Sequence, residues 1–392
     1  MSEALIIGAG PAGLMAADVL SQAGHSVTIC DAMPSVGRKF LMAGKSGLNL
    51  TKDEPIEAFI ARFGTIHPTF EAALRAFGPV EVMAWAEDLE QGIFTGSSGR
   101  VFPNAMKASP LLRAWLTRLR AAEVTMNMRW RWTGFTEDAS CFDTPDGPQK
   151  ITPDVTILAM GGASWARLGS DGAWAEQFDT VATFQPANVG FKVNWSEHMA
   201  PLFGQPVKAT TLKAGRKTSR GEWVITQKGV EGGGIYDLSA TMRDGATLHL
   251  DLFPDLSDAD VQARVKKRRS KQSFSQFLKK ALRLSPIKAA LFQEFTQNED
   301  LSDPEHLTRL LKSLPITVTE TMAIDGAIST AGGLRFSALD TGYMCNGKPG
   351  VFAAGEMLDW EAPTGGYLIT GCLATGHAAG QGALKRLSRN NR

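Results

Sequence analysis

The chain has 392 residues, 43% of them hydrophobic, with 41 Lys+Arg against 40 Asp+Glu. That length holds two or three packed units, and the balanced charge argues against a global electrostatic footprint for nucleic acid or an anionic membrane. No apolar run approaches the roughly 20 residues of a membrane span, and Cys30, Cys141, Cys345 and Cys372 form no C-x-x-C pair, so no metal site or redox dithiol is expected.

In chain order, Met1-Ser2-Glu3 leads straight into the apolar run Ala4 to Ile7, without the basic start of a secretory signal. A cytoplasmic location is therefore expected, which suits unpaired cysteines. Gly8-Ala9-Gly10-Pro11-Ala12-Gly13 follows, then Leu14, Ala17, Val19 and Leu20 at helical spacing, then the β-rich run Val27 to Cys30 ending at Asp31. This is a strand, tight turn, helix and strand of about 30 residues, as a parallel crossover requires. A helix is expected at about 110–121, strands near 124–132 and 141–144, and a buried strand at 155–159. After about Asn188 the character changes, and alternating segments with Gly-rich turns at 213–237 read as antiparallel β structure. Residues 257–314 read as helical, with Ser285-Pro286 and Asp303-Pro304 each pairing a cap residue with proline at the first helical position. Strands return from about Thr317. A strand at 350–354, a Gly365-Gly366 turn and a helix from about Cys372 close the chain.

The glycine motif is weak alone and gains weight from its place between strand and helix, with Asp31 eighteen residues beyond Gly13. Gly8 allows the tight turn, Gly10 lets a pyrophosphate approach the backbone, and Gly13 lets helix and strand pack closely. Pro11 and Ala12 open the helix, whose N-terminus offers N–H groups and positive dipole. Asp31, with Ala32 beside it, suits an adenosine ribose. The motif serves FAD and NAD alike. Its place at residue 4, with a partner segment at the far C-terminus, suits the longer cofactor, FAD.

That partner segment runs from Gly350 through Ala354-Gly355-Glu356-Met357, Thr364-Gly365-Gly366-Tyr367 and on to Gly380. With Gly37-Arg38-Lys39, Gly99-Arg100-Val101-Phe102-Pro103 and Ala159-Met160-Gly161-Gly162-Ala163-Ser164, it resembles the bacterial FAD-binding flavoproteins grouped with aminoacetone oxidase, to which a flavin reductase of bile-acid breakdown belongs. The resemblance implies an α/β fold: a Rossmann-like, glutathione-reductase-like FAD-binding domain with an inserted β-barrel-like domain and a small helical domain. The expected division is 1–190 for the first part of the FAD-binding domain, 191–255 for the β-rich insert and 256–315 for the helical insert. Residues 316–392 then hold a return strand and the second part. A substrate cavity is expected where insert and FAD-binding domain meet.

The resemblance also implies roles. Arg38, with Lys39 beside it, and Asp31 hold the adenosine and diphosphate end. Trp130 lies on a strand beside the adenine, and Ala159, Gly161 and Gly162 line the nucleotide. Gly355 and Glu356 take the ribityl chain, and Gly365, Gly366, Tyr367, Leu368 and Ile369 run past the flavin pyrimidine edge. Gly44, Ser46 and Asn49 lie at the flavin's reactive face. Family members have Gly-Gly-Gly-Arg-Cys-Asn where this chain reads Ala43-Gly44-Lys45-Ser46-Gly47-Leu48-Asn49, and Asn where it has Leu368. What carries over is FAD binding rather than a substrate.

Other features weigh less. Lys266-Lys267-Arg268-Arg269-Ser270-Lys271 reads as a solvated helix face rather than a nucleic-acid patch, since Val261, Val265, Phe274, Leu278 and Leu282 supply an apolar side. Lys45 and His377 are the weak catalytic candidates, the first for polarising a carbonyl and the second as a proton relay. Trp165 and Trp360 are candidates for stacking on substrate, with core packing the alternative. The expected function is hydride transfer between a small organic substrate and FAD, with O2 or NAD(P)H in the other half-reaction. The alternative is a non-catalytic or redox-sensing flavoprotein with a protein or RNA partner.

Overall fold

The apolar run behind Glu3 becomes β1 (Glu3–Ile7), whose last four residues are all buried, as befits a parallel strand covered on both faces. In the computed structural model, which describes residues 3–44, 47–137, 139–267 and 274–390, β1 is the centre of a five-stranded parallel sheet. β2 (Ser26–Asp31) and β3 (Thr125–Met128) lie to one side, β4 (Val155–Leu158) and β5 (Val351–Ala353) to the other. The order is β5-β4-β1-β2-β3, with Ile7 in register with Cys30 and Leu158. Strand order reverses between β1 and β4, the place where open α/β sheets leave a crevice at the strands' carboxyl ends.

Four helices matter for the site. α1 (Pro11–Gln22) follows β1, α2 (Arg38–Ala43) follows β2, α3 (Ala108–Ala121) precedes β3, and α4 (Tyr367–Asn390) closes the chain. α3 buries Leu111, Leu112, Trp115, Leu116 and Leu119 at helical spacing; each such side chain is worth roughly 1.5–3 kcal/mol before its entropy cost. Its Trp115 Nε1 donates to Asp18 of α1 at 3.3 Å, and Arg118 pairs with the same carboxylate, so a charge buried under the helices is matched.

Three expectations shift. The strand expected at 124–132 is two, β3 and Arg131–Thr136, because Arg129 turns the chain at φ 65. The second of these pairs antiparallel with Ala139–Thr144, which pairs with Gly147–Ile151. Trp130 therefore lies in the connection and not on a strand. The closing helix starts at Tyr367 rather than Cys372. Gly371 lies inside it as a packing residue, since a Cβ would stand 2.5 Å from the Trp360 ring.

The sheet belongs to a unit of Met1–Pro186 with Ile324–Arg392; Ala187–Ala323 forms a second compact unit. That second unit holds two four-stranded antiparallel sheets. It also holds the helices Asp258–Val265, Phe274–Leu282, Pro286–Phe295 and Pro304–Lys312. Pro286 and Pro304 do open their helices; Asp303 caps the second by accepting from Glu305 and His306 N–H, whereas Ser285 makes no side-chain cap bond.

Candidate cofactor site

A cavity of about 390 Å³ opens at the carboxyl ends of β1, β2 and β4, in the crevice where strand order reverses. Its floor is the turn between β1 and α1. Gly8 sits at φ +107, and a Cβ there would stand 2.7 Å from the Ala159 carbonyl carbon, so the turn admits only glycine. A Cβ at Gly13 would collide with the Gly8 carbonyl. Gly10 differs: its backbone is extended, and nothing of the protein lies within 4 Å of where a Cβ would be. The chain does not need glycine at 10; a ligand approaching the backbone does. Above it, the first turn of α1 carries no acidic residue and no side-chain cap, leaving its N–H groups for an anion.

Asp31 ends β2. Its Oδ2 accepts the Ala9 N–H and its Oδ1 the Met33 N–H, both at 2.7 Å, which fixes the carboxylate and leaves each oxygen a further lone pair. Burial pushes the Asp31 carboxyl above its ordinary value, against the pull of those N–H groups and of Arg38 and Arg131. Arg38 Nε, Trp132 Nε1 and Ser170 Oγ are buried and have no partner among the described residues, and all three residues line the cavity. Buried donors of this kind call for an acceptor-rich ligand. At the inner end, Glu356 accepts Thr330 N–H at 3.0 Å and Lys39 Nζ at 2.6 Å. Beside them the buried Cys372 thiol is pushed up to about 12 by burial.

A glycine cradle, a bare helix N-terminus, two arginines, a fixed acceptor for ribose hydroxyls and a second carboxylate deeper in fit an adenine dinucleotide. Of the residues singled out in the sequence, Gly8, Gly10, Pro11 and Ala12 line this cavity, as do Asp31, Ala32, Arg38 and Lys39. So do Trp130, Ala159 and Gly161, and Gly355 and Glu356. Gly13 and Gly162 serve packing instead, Gly162 against Thr330 and Glu356. Gly44 packs on Ala108 of α3.

Gly365 to Ile369 lie outside the cavity, with Cys372, which lines it, five residues on from Tyr367, about 7.5 Å along α4. Gly366, at φ +96, sits on Thr51, and Tyr367 donates to Glu54 at 2.6 Å. Asn49 is also off the cavity, and its buried Oδ1 has no partner among the described residues. Lys45 and Ser46 lie outside the described residues, as do Arg268 to Lys271 of the basic run. His377 does not reach the cavity. It stacks on Phe77 with centroids 4.9 Å apart, and burial lowers its pKa, so it is a packed histidine. Trp165 and Trp360 spend their indole N–H groups on Ala327 and Gly355 carbonyls, and Trp360 packs on Phe70.

Sequence reasoning missed the outer wall. Arg131 pairs with Asp171 at 3.0 Å, and Trp174 donates to the Gly161 carbonyl at 2.8 Å, pinning the loop after β4. Neither sits in a motif. The one available signal was the density of Gly and Trp at 161–174. Among the described residues no group of three or more His, Cys, Asp and Glu could hold a metal ion, and no helix is long and apolar enough to cross a membrane.

A 3-dehydro-bile acid delta(4,6)-reductase from Clostridium scindens is 27% identical over 98% of this chain and 100% of its own length. A ribosomal RNA dihydrouridine synthase from Escherichia coli is 25% identical over 93% and 94%. Among solved structures, a 3-ketosteroid delta1-dehydrogenase from Sterolibacterium denitrificans superposes with a TM-score of 0.55, covering 98% of this chain and 100% of that one at 11% identity, a likeness of fold. The profile of the HI0933-like protein Rossmann domain matches residues 2–382, and the chain belongs to that family.

Proposed function

We propose that the chain is an FAD-dependent oxidoreductase that reduces a carbon–carbon double bond conjugated to a carbonyl, with NAD(P)H as the hydride source. The observation that carries the FAD reading is the cavity itself. It joins a pyrophosphate cradle at Gly10 to Asp31 on one side and to the Lys39–Glu356 pair on the other. When bound, FAD supplies hydride transfer through its isoalloxazine ring. The chain's own residues do the holding. Asp31 and Ala32 take the adenosine with Trp130 alongside; Arg38 and the N-terminus of α1 take the pyrophosphate; Glu356 takes the ribityl hydroxyls. Gly365 to Ile369, with Gly44 and Asn49, would border the flavin ring, and the N-terminus of α4 favours negative charge there.

The substrate class is supported by the relatives' names, in which a 3-dehydro bile acid and a uridine each lose a double bond conjugated to a carbonyl. The balance is substrate plus NAD(P)H plus a proton, giving the saturated carbonyl compound and NAD(P)+. The resemblance to the aminoacetone oxidase group, drawn from the motifs at both ends, would suit hydride transfer with O2 as acceptor. A second reading, a uridine of RNA as the substrate, is favoured by the Escherichia coli relative's name, and the exposed Lys266 and Lys267 are basic groups that would suit it. The test is anaerobic: reduced holoprotein is mixed with a conjugated enone steroid, with free uridine and with ribosomal RNA, and the return of flavin absorbance is followed. Reoxidation by one of these supports the reading, and reoxidation by O2 alone contradicts it.

A further inference from the structure

The motif Gly99-Arg100-Val101-Phe102-Pro103 lines no part of the cofactor cavity. It supplies the middle strand, Arg100–Pro103, of a three-stranded antiparallel sheet, with Thr51–Lys52 on one side and Ile93–Thr95 on the other. Side chains alternate across such a strand. Val101 and its cross-strand partner Thr51 are fully buried, so Arg100 and Phe102 share the opposite face with their own partners, Lys52 and Phe94. Phe94 stacks on Phe102 with centroids 5.6 Å apart and planes 27° from parallel. Met106 extends this plate, since a Cβ at Gly47 would stand 2.8 Å from Met106 Cε and 3.9 Å from the Phe102 ring. Five large apolar residues are exposed among the described residues, and two of them, Phe94 and Met106, flank Phe102 here. Scattered apolar residues on a surface need no reason, but a contiguous plate of them marks a place where something docks.

The plate ends in a cation. Lys52 is matched by Glu54 at 3.0 Å, and Glu54 also accepts from Tyr367 at 2.6 Å. The Arg100 guanidinium has no partner among the described residues. It reaches the Gly365-Gly366 turn, where a Cβ at Gly365 would stand 3.7 Å from Arg100 Nε. In the reading above that turn borders the flavin ring, so the charged end of the plate is the reacting end. We propose that this face is the substrate platform: Phe94, Phe102 and Met106 carry the flat apolar body of a conjugated carbonyl compound, and Arg100 holds its carbonyl oxygen. The proposal rests on the enone reading above. As hydride from reduced flavin reaches the carbon β to the carbonyl, the electron pair of the double bond moves onto the carbonyl oxygen. A proton from water at the α carbon then completes the saturated product. A guanidinium against that oxygen favours the state in which charge has moved there over the neutral ground state. Two residues of strand span about 6.6 Å, so a substrate whose oxygen meets Arg100 lays its next ring over Phe102. A small enone meets Arg100 alone, and a steroid-sized one covers the plate as well.

The test uses full-length flavin-loaded protein with two enones, cyclohexenone and a conjugated ketosteroid. Steroid binding to the oxidised protein is measured by calorimetry, and anaerobic stopped flow gives the rate of flavin reoxidation and the apparent Kd for each enone. Arg100→Gln is expected to keep its flavin and to slow reoxidation by both enones, at saturation, at least about tenfold. That lies below the roughly hundred- to thousandfold of a buried oxyanion donor because this face is open to water. Arg100→Lys should restore part of the rate. Phe94→Ser should raise the Kd of the steroid about five- to tenfold while that of cyclohexenone changes by less than about twofold. An Arg100→Gln protein that reoxidises at the original rate, or that comes off without flavin, would overturn the proposal. So would a Phe94→Ser protein that binds the steroid unchanged or loses both enones equally. An unmodified protein whose reduced flavin neither enone reoxidises would instead overturn the enone reading itself.

Discussion

Substituting Gly10 by alanine separates what the fold needs from what a ligand needs. The residue is extended at φ −85 and ψ −178, a conformation open to any amino acid, and its added Cβ meets no protein atom within 4 Å. The cost to the apoprotein is then the poorer helix N-cap, about 1 kcal/mol or less, a drop in Tm of no more than about 4 °C. The cost to FAD is larger. The methyl would occupy the space through which the pyrophosphate reaches the α1 N-terminus, and losing one charge-assisted hydrogen bond is worth roughly 1.5–3 kcal/mol. That corresponds to about a ten- to hundredfold rise in Kd. Apoprotein melting by differential scanning fluorimetry, beside FAD titration by calorimetry, measures both on one sample. Unchanged FAD affinity in a well-folded Gly10→Ala protein would refute the cradle.

Gly366→Ala is expected to act the other way, on the fold itself, since φ is +96 and the Cβ would stand 2.7 Å from Thr51 Cα; strain alone is about 1–3 kcal/mol, read as a lower apoprotein Tm. His377→Phe should preserve flavin content and flatten the acid side of the stability curve. Burial holds the His377 pKa below 6.5, so the unfolded chain takes up the proton first and stability is lost as pH falls below about 6.5; melting across pH about 7.5 to 5 checks it. Cys30, Cys345 and Cys372 are buried with thiols pushed up to about 12, whereas Cys141 is partly exposed. A thiol reagent should therefore find one fast cysteine in native protein and four after denaturation, and a second fast native thiol would contradict the packing.

The turn from Gly8 to Gly13 and its neighbour Asp31 were legible because a parallel crossover writes itself into sequence. An apolar strand, three spaced glycines, a helix and a terminal Asp31 all lie within about 30 residues, and each has a local physical reason. The Lys39–Glu356 pair was only half legible. Both residues were singled out, but their contact joins α2 to the segment after β5, and no local pattern encodes a contact across the whole chain. Gly366 shows how one residue can carry a second reason that no local pattern reveals. Its glycine reads in the sequence as a ligand contact, and the structure also needs it to seat the turn on Thr51, as it needs Gly13 to seat α1 on Gly8. The Arg131 and Trp174 wall was not legible, because single side chains from an antiparallel meander and a loop leave no periodic trace. His377 illustrates the converse, a titratable residue at a suggestive place that stacking on Phe77 fully accounts for.

The most direct test of the central claim is the identity and amount of nucleotide released when the purified protein is denatured, measured by mass spectrometry against the protein concentration. The glycine cradle and the unpaired donors lining the cavity predict FAD at one molecule per chain. Release of FMN, release of NAD, or a protein that stays colourless and takes up no FAD on reconstitution would contradict it.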